Sequence, residues 1–276
     1  MTRIALFQSC TGIDPAANTE ALISAIELAD AGGAEMLFTP EMSGLLDRDA
    51  KRASTSARSE EDDGVLAACR DAARQHGLWT HLGSLAVRGP GGKLANRGFL
   101  VDPSGTIRAR YDKIHLFDVD LPTGESWRES AVYGAGEGAV VAGGTPVGRL
   151  GLTICYDLRF PDLFSRLAEA GAQTIAVPAA FTVPTGRAHW EVLLRARAIE
   201  AGCFIVAAAQ SGHHADGRQT YGHSMVVSPW GEVLLDMGQT TGVGFVDIEL
   251  SLVAEVRQRI PALAHRRPIA AATLVQ

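Results

Sequence analysis

Three short phrases in this chain each set an ionisable or nucleophilic group after a strand-like run: "FTPEM" with Glu41, "RYDKIHLF" with Lys113 and "ICYDLRFP" with Cys155. A carboxylate, an ammonium and a thiol together suit acyl transfer. A thiolate is a better nucleophile than water, but an unperturbed cysteine is ionised only to a few per cent near neutral pH, so it needs a base. Glu41 can take the thiol proton and pass it to a departing amine, a role that requires reach in space rather than proximity in sequence. Lys113, kept protonated beside Glu41, can neutralise the negative oxygen of a tetrahedral adduct, helped by the backbone N–H of Tyr156 just after the nucleophile. Taken singly, the three residues have plain structural readings. A carboxylate at a strand end is usually solvated, a lysine there usually lies on the surface, and free cysteine is among the most buried residue types. What decides between the readings is whether the elements carrying them converge.

Strand and helix alternate along the chain. Residues 3–8, "RIALFQ", read as a strand; Asn18 fits an N-cap for a helix that runs to Ala31 and stops at Gly32-Gly33. Residues 35–41 read as a buried strand ending at Pro40 and Glu41, and residues 45–76 as polar and helix-favouring, with acids at 60–63 near the start of a second helix. Residues 78–87, 97–105 and 106–113 read as consecutive strands, the last two joined antiparallel through Asp102-Pro103-Ser104-Gly105. A long loop over 117–137 leads to a strand ending in Cys155. The rhythm then resumes with helix 163–170, strand 173–181, helix 187–201 and strand 203–210. In helix 187–201, Trp190, Leu193, Leu194, Arg197 and Ala198 share a face, and Glu191 can pair with Arg195. "HSMVVSPWG" and "EVLLDM" form a hairpin about Pro229, Trp230 and Gly231, and "VGFVDIEL" closes the sheet region. βα units at both ends with antiparallel strands between them predict an α/β protein whose mixed sheets are covered by helices, and in such sheets chemistry collects where strands end.

Bulk properties narrow the field. With 276 residues, nearly half of them apolar, and no linker-like stretch, the chain reads as one domain with a large core. "GPGGK", residues 89–93, lies between two strand-like runs and reads as a turn. The formal charge of −6 is spread over interspersed acids and bases, which argues against nucleic-acid or membrane partners. No run approaches the length of a membrane span, and the first apolar run is too short for a signal-peptide core, so a cytoplasmic location is expected. Cys10, Cys69, Cys155 and Cys203 lack paired spacing and are expected to be reduced thiols.

The three reactive phrases together resemble the carbon–nitrogen hydrolases of the nitrilase superfamily, in which Glu, Lys and Cys follow in this order. The resemblance covers essentially the whole chain. It extends to "NRGFLVDPSG" before the lysine, to Glu129-Ser130, and to "GRAHWEVLLRARAIEAGCFIVAAAQ" after the cysteine; with "YGHSMVVSPWGEVL" and "HRRP" these phrases look most like the Nit branch. The resemblance implies a four-layer αββα sandwich of two mixed β-sheets, homodimers or higher homo-oligomers in which helices cover one another's outer faces, and no metal or organic cofactor. The tail from about residue 262 is expected at a subunit interface. It further implies an amidase that hydrolyses a small carboxamide with water through a Cys155 thioester, deaminated glutathione or a related 2-oxo acid amide being the expected substrate. An ω-amidase acting on α-ketoglutaramate, a true nitrilase and a catalytically idle interaction protein are the alternatives. Glu129 matches a second glutamate of the family that orients the lysine or the attacking water. Tyr156, Arg159, Phe181 and Arg187 are the candidates for contacting substrate, although Asp157 and Arg159 also read as braces of the cysteine turn. An acidic chain does not draw in an anion, so a 2-oxo-dicarboxylic substrate needs a local cation, for which Arg187 is the candidate.

Other motifs carry less. His213-His214 lacks any "HExxH" or "CxxC" companion and reads as a polar loop, and His115 and His189 read as structural. "GAGEG" lacks the full dinucleotide fingerprint, and "GHSMVV" lacks the second glycine of a serine nucleophile elbow.

Overall fold

The computed structural model describes residues 1–120, 124 and 126–275, and of Pro90 the backbone alone. The first βα units are β1 (Thr2–Gln8), α1 (Pro15–Ala31), β2 (Met36–Phe38), α2 (Ala50–Ser56), α3 (Gly64–His76) and β3 (Trp79–Arg88). The middle holds β4 (Leu94–Val101), β5 (Ile107–Asp112), β6 (Asp118–Asp120), β7 (Ser126–Arg128), β8 (Tyr133–Gly134) and β9 (Val140–Thr145). Then come β10 (Gly148–Leu152), α4 (Pro161–Glu169), β11 (Thr174–Ala176), α5 (Val183–Ala201) and β12 (Phe204–Ala207). The chain ends with β13 (Ser211–His213), β14 (Gln219–Tyr221), β15 (Met225–Val227), β16 (Val233–Asp236), β17 (Gly242–Ile248) and α6 (Ser251–Arg259).

Two large mixed sheets result. One has the order β17-β1-β2-β3-β4-β5, with β8 added beside β4; the other has the order β16-β15-β12-β11-β10-β9. At the centre of each, three strands run parallel: β1, β2 and β3 in the first, β10, β11 and β12 in the second. The side-chain period of two then sorts the first sheet's residues between two cores. Ile4, Leu6, Met36 and Phe38 join Leu150, Leu152, Ile175 and Val226 of the second sheet, whereas Ala5, Leu37, Leu82 and Phe99 join Leu22, Ile26, Leu66 and Cys69 of α1 and α3. Phe164 and Leu167 of α4 and Trp190 and Leu194 of α5 close the second sheet. This is the expected αββα sandwich. The strands β2, β11 and β12 are buried along their whole length, as parallel strands covered on both faces must be.

Local boundaries differ from the sequence reading where a capping side chain or a proline decides them. Helix α1 is capped by Asp14, whose carboxylate accepts from Ala16 N–H, and Pro15 sits at its first position. Asn18 instead lies buried inside the helix and ties Gly12 and Gly44 together through its amide. Helix α5 starts a turn earlier than expected, at Val183-Pro184, where a proline lacking its N–H fits the helix start. The loop over 117–137 is more ordered than expected, for β6, β7 and β8 lie within it; residues 121–123 and 125 of that loop lie outside the described residues. None of the described helices is long and apolar enough to cross a membrane.

Candidate active site

Glu41, Lys113 and Cys155 follow β2, β5 and β10, and all three line one cavity of about 350 Å³. After β2, Thr39 N–H donates to His81 O, and the next turn is fixed by Ser84, which accepts from Met42 N–H and Ser43 N–H. Gln210 holds the Glu41 carbonyl from the other sheet at 2.9 Å. Gly83 of β3 has to be glycine, because any Cβ there would collide with the carbonyls of Thr39 and Pro40 and with the Pro178 side chain. That close approach is what brings the end of β2 against the end of β11.

Lys113 is buried at the end of β5, its N–H donating to Asn96 O across the antiparallel pair. Its Nζ donates to Glu41 Oε1 at 2.9 Å and to Glu129 Oε1 and Oε2 at 3.0 and 2.8 Å. Asn96 of β4, 1 % exposed, bridges the two carboxylates, with Nδ2 at 2.9 Å from Glu41 Oε1 and 3.1 Å from Glu129 Oε1. Glu129 Oε2 also accepts from Phe117 N–H at 2.7 Å, and Glu41 Oε2 from Ala180 N–H at 3.0 Å. Every carboxylate oxygen in this cluster therefore has a donor, as burial demands.

Cys155 opens a short 3-10 turn, Cys155–Arg159, in the left-handed region at φ 49°. A side chain there costs about 1 kcal/mol or more and has to be held by its surroundings. Cys155 N–H donates to Pro178 O at 2.8 Å, and the buried carboxylate of Asp157 accepts from Ile154 N–H, His115 N–H, His115 Nδ1 and the Tyr111 hydroxyl. His115 stacks on Phe160 at 3.6 Å between ring centres. Arg197, buried on α5, adds a bond from Nε to Leu158 O. Asp157 is thus the hub of the turn. Cys155 is 8 % exposed and lines the cavity, whereas Cys69 and Cys203 are fully buried in the core and Cys10 lies at the surface.

The charges are strongly coupled. Burial acts against the Lys113 ammonium, but Glu129 and Glu41 outweigh it and keep it protonated well above the ordinary lysine range. Burial acts to raise the Glu41 carboxyl; Lys113, by charge and by hydrogen bond, with further bonds from Cys155 and Asn96, holds it below its ordinary value. Burial and then the Glu41 carboxylate push the Cys155 thiol well up. At rest the site holds a neutral thiol beside an ionised carboxylate, the starting state that general-base catalysis needs. Among the described hydrogen bonds Tyr156 N–H has no acceptor, so it can point to a developing oxyanion.

Tyr156, Arg159 and Phe181 line the same cavity. Arg187 does not. The early start of α5 puts it on an exposed part of that helix, outside the cavity wall. Among the described residues the arginines that line the cavity beside Lys113 are Arg48, Arg128, Arg159 and Arg218, and of these four the sequence singles out only Arg159. Arg128 is paired with Asp120. Asn96 was also missed, although it begins the "NRGFLVDPSG" phrase and its polar side chain interrupts an otherwise apolar inward row of β4. His214 is held between Thr11 O and Thr220 Oγ1. Among the described residues no group of three His, Cys, Asp or Glu side chains is arranged to hold a metal ion.

A match to the carbon-nitrogen hydrolase family spans residues 3–258, and the chain belongs to that family. It is 42% identical over 267 residues to a deaminated glutathione amidase of Yersinia enterocolitica, covering 96% of this chain and 92% of that one. Among solved structures it is similar to the NitFhit protein of C. elegans, with a TM-score of 0.89 and 39% identity over 96% of this chain and 65% of the other. It also resembles a mutant amidase of Nesterenkonia sp. AN1 that carries a Michael adduct of acrylamide at its active-site cysteine, with a TM-score of 0.77 and 28% identity over 95% and 98% of the two chains. These likenesses place the chain in the Nit branch of the nitrilase superfamily.

Proposed function

We propose that this carbon–nitrogen hydrolase is an amidase that cleaves a small 2-oxo acid amide, deaminated glutathione foremost, through a thioester on Cys155. The observation that carries the reading is the meeting of Cys155, Glu41 and Lys113 on the wall of one cavity, with Lys113 Nζ 2.9 Å from Glu41 Oε1. The Cys155 thiol gives its proton to Glu41 as sulfur attacks the amide carbon. Lys113 and Tyr156 N–H meet the oxyanion; the adduct collapses as Glu41 returns the proton to the departing nitrogen, leaving a thioester. Glu41 then takes a proton from water, which attacks the thioester, and the thiol leaves with that proton. Glu129 keeps Lys113 in place through both steps. The relatives named for deaminated glutathione, together with the arginines on the cavity wall, favour an acidic amide over a nitrile.

The decisive measurement is mass spectrometry of the purified protein with deaminated glutathione, α-ketoglutaramate and simple nitriles. Cleavage of deaminated glutathione to an oxo acid and a dipeptide is expected. Ammonia release from α-ketoglutaramate alone would move the substrate to that of an ω-amidase. Cys155→Ala should be folded and inactive; turnover by that variant at the wild-type rate would remove the nucleophile assigned here. The chain is further read as a homodimer or higher homo-oligomer, a reading supported by exposed Val192 and Ile199 on α5 and Trp230 in the β15–β16 turn.

A further inference from the structure

Two guanidinium groups lie over one indole on the cavity wall. Arg48, from the segment before α2, has its guanidinium carbon 5.1 Å from the centre of the Trp127 ring, and that of Arg218, just before β14, is 4.9 Å away. All three side chains line the cavity. Like charges gathered on one ring repel each other, and among the described residues one of them is offset by a carboxylate. Asp216 accepts from Arg218 Nε at 2.6 Å and from Arg218 N–H at 3.0 Å, and it reaches Arg48 only at the backbone N–H, at 2.8 Å. Among the described residues the Arg48 guanidinium meets no carboxylate, so the described side chains of the cluster, Arg48, Arg218 and Asp216, carry an excess positive charge. Stacking fixes the plane of a guanidinium and leaves its N–H edge to receive an anion.

This cluster and Arg159 stand at opposite ends of an aromatic wall. The wall runs from Trp127 to Phe117, 6.4 Å between centres, and on to Tyr156 at 5.0 Å, next to the nucleophile. Arg159 sits at the Tyr156 end, over that ring and over Phe181. A substrate with a single acid group would need a cation at one end only. Cations at both ends of the wall fit an amide that carries an acid on each side of the bond to be cut.

We propose that Arg48 and Arg218, seated on Trp127, form a specificity subsite for a carboxylate on the leaving-amine side of the scissile amide. The proposal rests on the amidase reading above and adds the polarity of binding. The acyl half stays bonded to Cys155 after the amine has gone, so its acid falls to Arg159 nearby. The amine half has to depart, and Arg48, which lines the cavity and is also exposed to solvent, marks the way out. A dipeptide ending in a free carboxylate, the amine half of deaminated glutathione, has the required chemistry.

The test compares two substrates with the same 2-oxo acyl group: deaminated glutathione with its free terminal carboxylate, and the same compound capped there as a primary amide. Wild-type protein should favour the free acid about tenfold or more in kcat/KM, mainly through KM. Arg48→Ala should lower that preference about tenfold, Arg48→Lys should keep most of it, and Arg48→Glu should reverse it. Because the readout is a ratio of two substrates on one protein, a partial loss of folded enzyme does not move it. Equal use of the two substrates by the wild type, or a ratio unmoved in both Arg48→Ala and Arg48→Glu, would overturn the subsite and leave the amidase reading standing. Hydrolysis of neither substrate by the wild type would remove that reading, and the subsite with it.

Discussion

Replacing Glu129 by glutamine tests whether the second carboxylate holds Lys113 in position for the role proposed for it. The change keeps the shape and removes the charge, and the geometry leaves the new amide no good orientation. One Glu129 oxygen accepts from Lys113 Nζ and Asn96 Nδ2, the other from Lys113 Nζ and Phe117 N–H. Whichever way the amide turns, its NH2 group faces two donors. Charge-assisted hydrogen bonds contribute about 1.5–3 kcal/mol each, so losing two and recovering part by relaxation should destabilise the fold by about 2–4 kcal/mol. Complete removal of an oxyanion donor lowers kcat about 10²–10³-fold. Glu41 still holds Nζ at 2.9 Å, so we expect Lys113 to be displaced only in part and kcat to fall about 10–100-fold, with KM changed little. The pH profile gives an independent readout. Glu129 is the largest influence favouring the charged form of Lys113, so its loss lowers the lysine's proton affinity and moves the alkaline limb of kcat to lower pH. Steady-state kinetics from pH 6 to about pH 10.5, with a urea titration at pH 7.5, would measure both effects. A kcat within about threefold of wild type and an unmoved alkaline limb would show that the lysine needs no help from Glu129.

Two further outcomes follow from groups away from the reacting atoms. Burial pushes His81 down to about 3, and its Nδ1 is buried with no partner among the described residues. The unfolded chain takes up that proton near pH 6.5 and the folded chain refuses it, so the stability involved is complete above pH 6.5 and lost as pH falls below it, amounting to about 2 kcal/mol at pH 5. His214, also held down by burial, adds in the same direction, whereas His81→Leu should flatten the urea-midpoint decline between pH 6.5 and 5; an equally steep decline in that variant would assign it elsewhere. For the assembly, sedimentation velocity at micromolar protein should give at least twice the chain mass, and Val192→Asp on the exposed face of α5 should shift the distribution toward the monomer; a wild-type monomer would refute the dimer.

The sequence exposes this site as far as chemistry follows from a residue's place on its own strand. Glu41, Lys113 and Cys155 stand at the ends of strand-like runs, and the βα alternation brings strand ends together, so their meeting could be anticipated. Asn96 could not be, because a polar residue inside a strand reads the same whether it faces water or bridges two buried carboxylates. Arg187 illustrates the opposite error. Its position in a helix-start phrase suggested a grip on substrate, but Pro184 moves the helix start back and turns that residue out to solvent. Two of the cations that do line the cavity, Arg48 and Arg218, come from segments some 170 positions apart, and their common partner Trp127 lies in a stretch that reads as loop. Nothing in local periodicity links three such residues, since only the closing of two sheets over one another brings their loops to one rim.

The same geometry explains why a buried site can hold so much charge. Three ionised groups away from water would be costly unless each is hydrogen-bonded and no net charge has to appear during reaction. In the resting state two carboxylates share one ammonium while the thiol is neutral. In the reaction proposed above, the thiol proton neutralises Glu41 as sulfur attacks, and the substrate oxygen takes over the negative charge that Glu41 has given up. Lys113 exchanges one anionic partner for another, while Glu129, Asn96 and Phe117 N–H keep their places. The cluster therefore carries the same net charge in the ground state and in the tetrahedral adduct, and the surrounding dipoles have no need to reorganise. Water in place of the thiol would offer the same charge balance with a poorer nucleophile, so the requirement for cysteine lies in the attack itself, and the requirement for two glutamates lies in keeping the lysine charged while one of them is neutral.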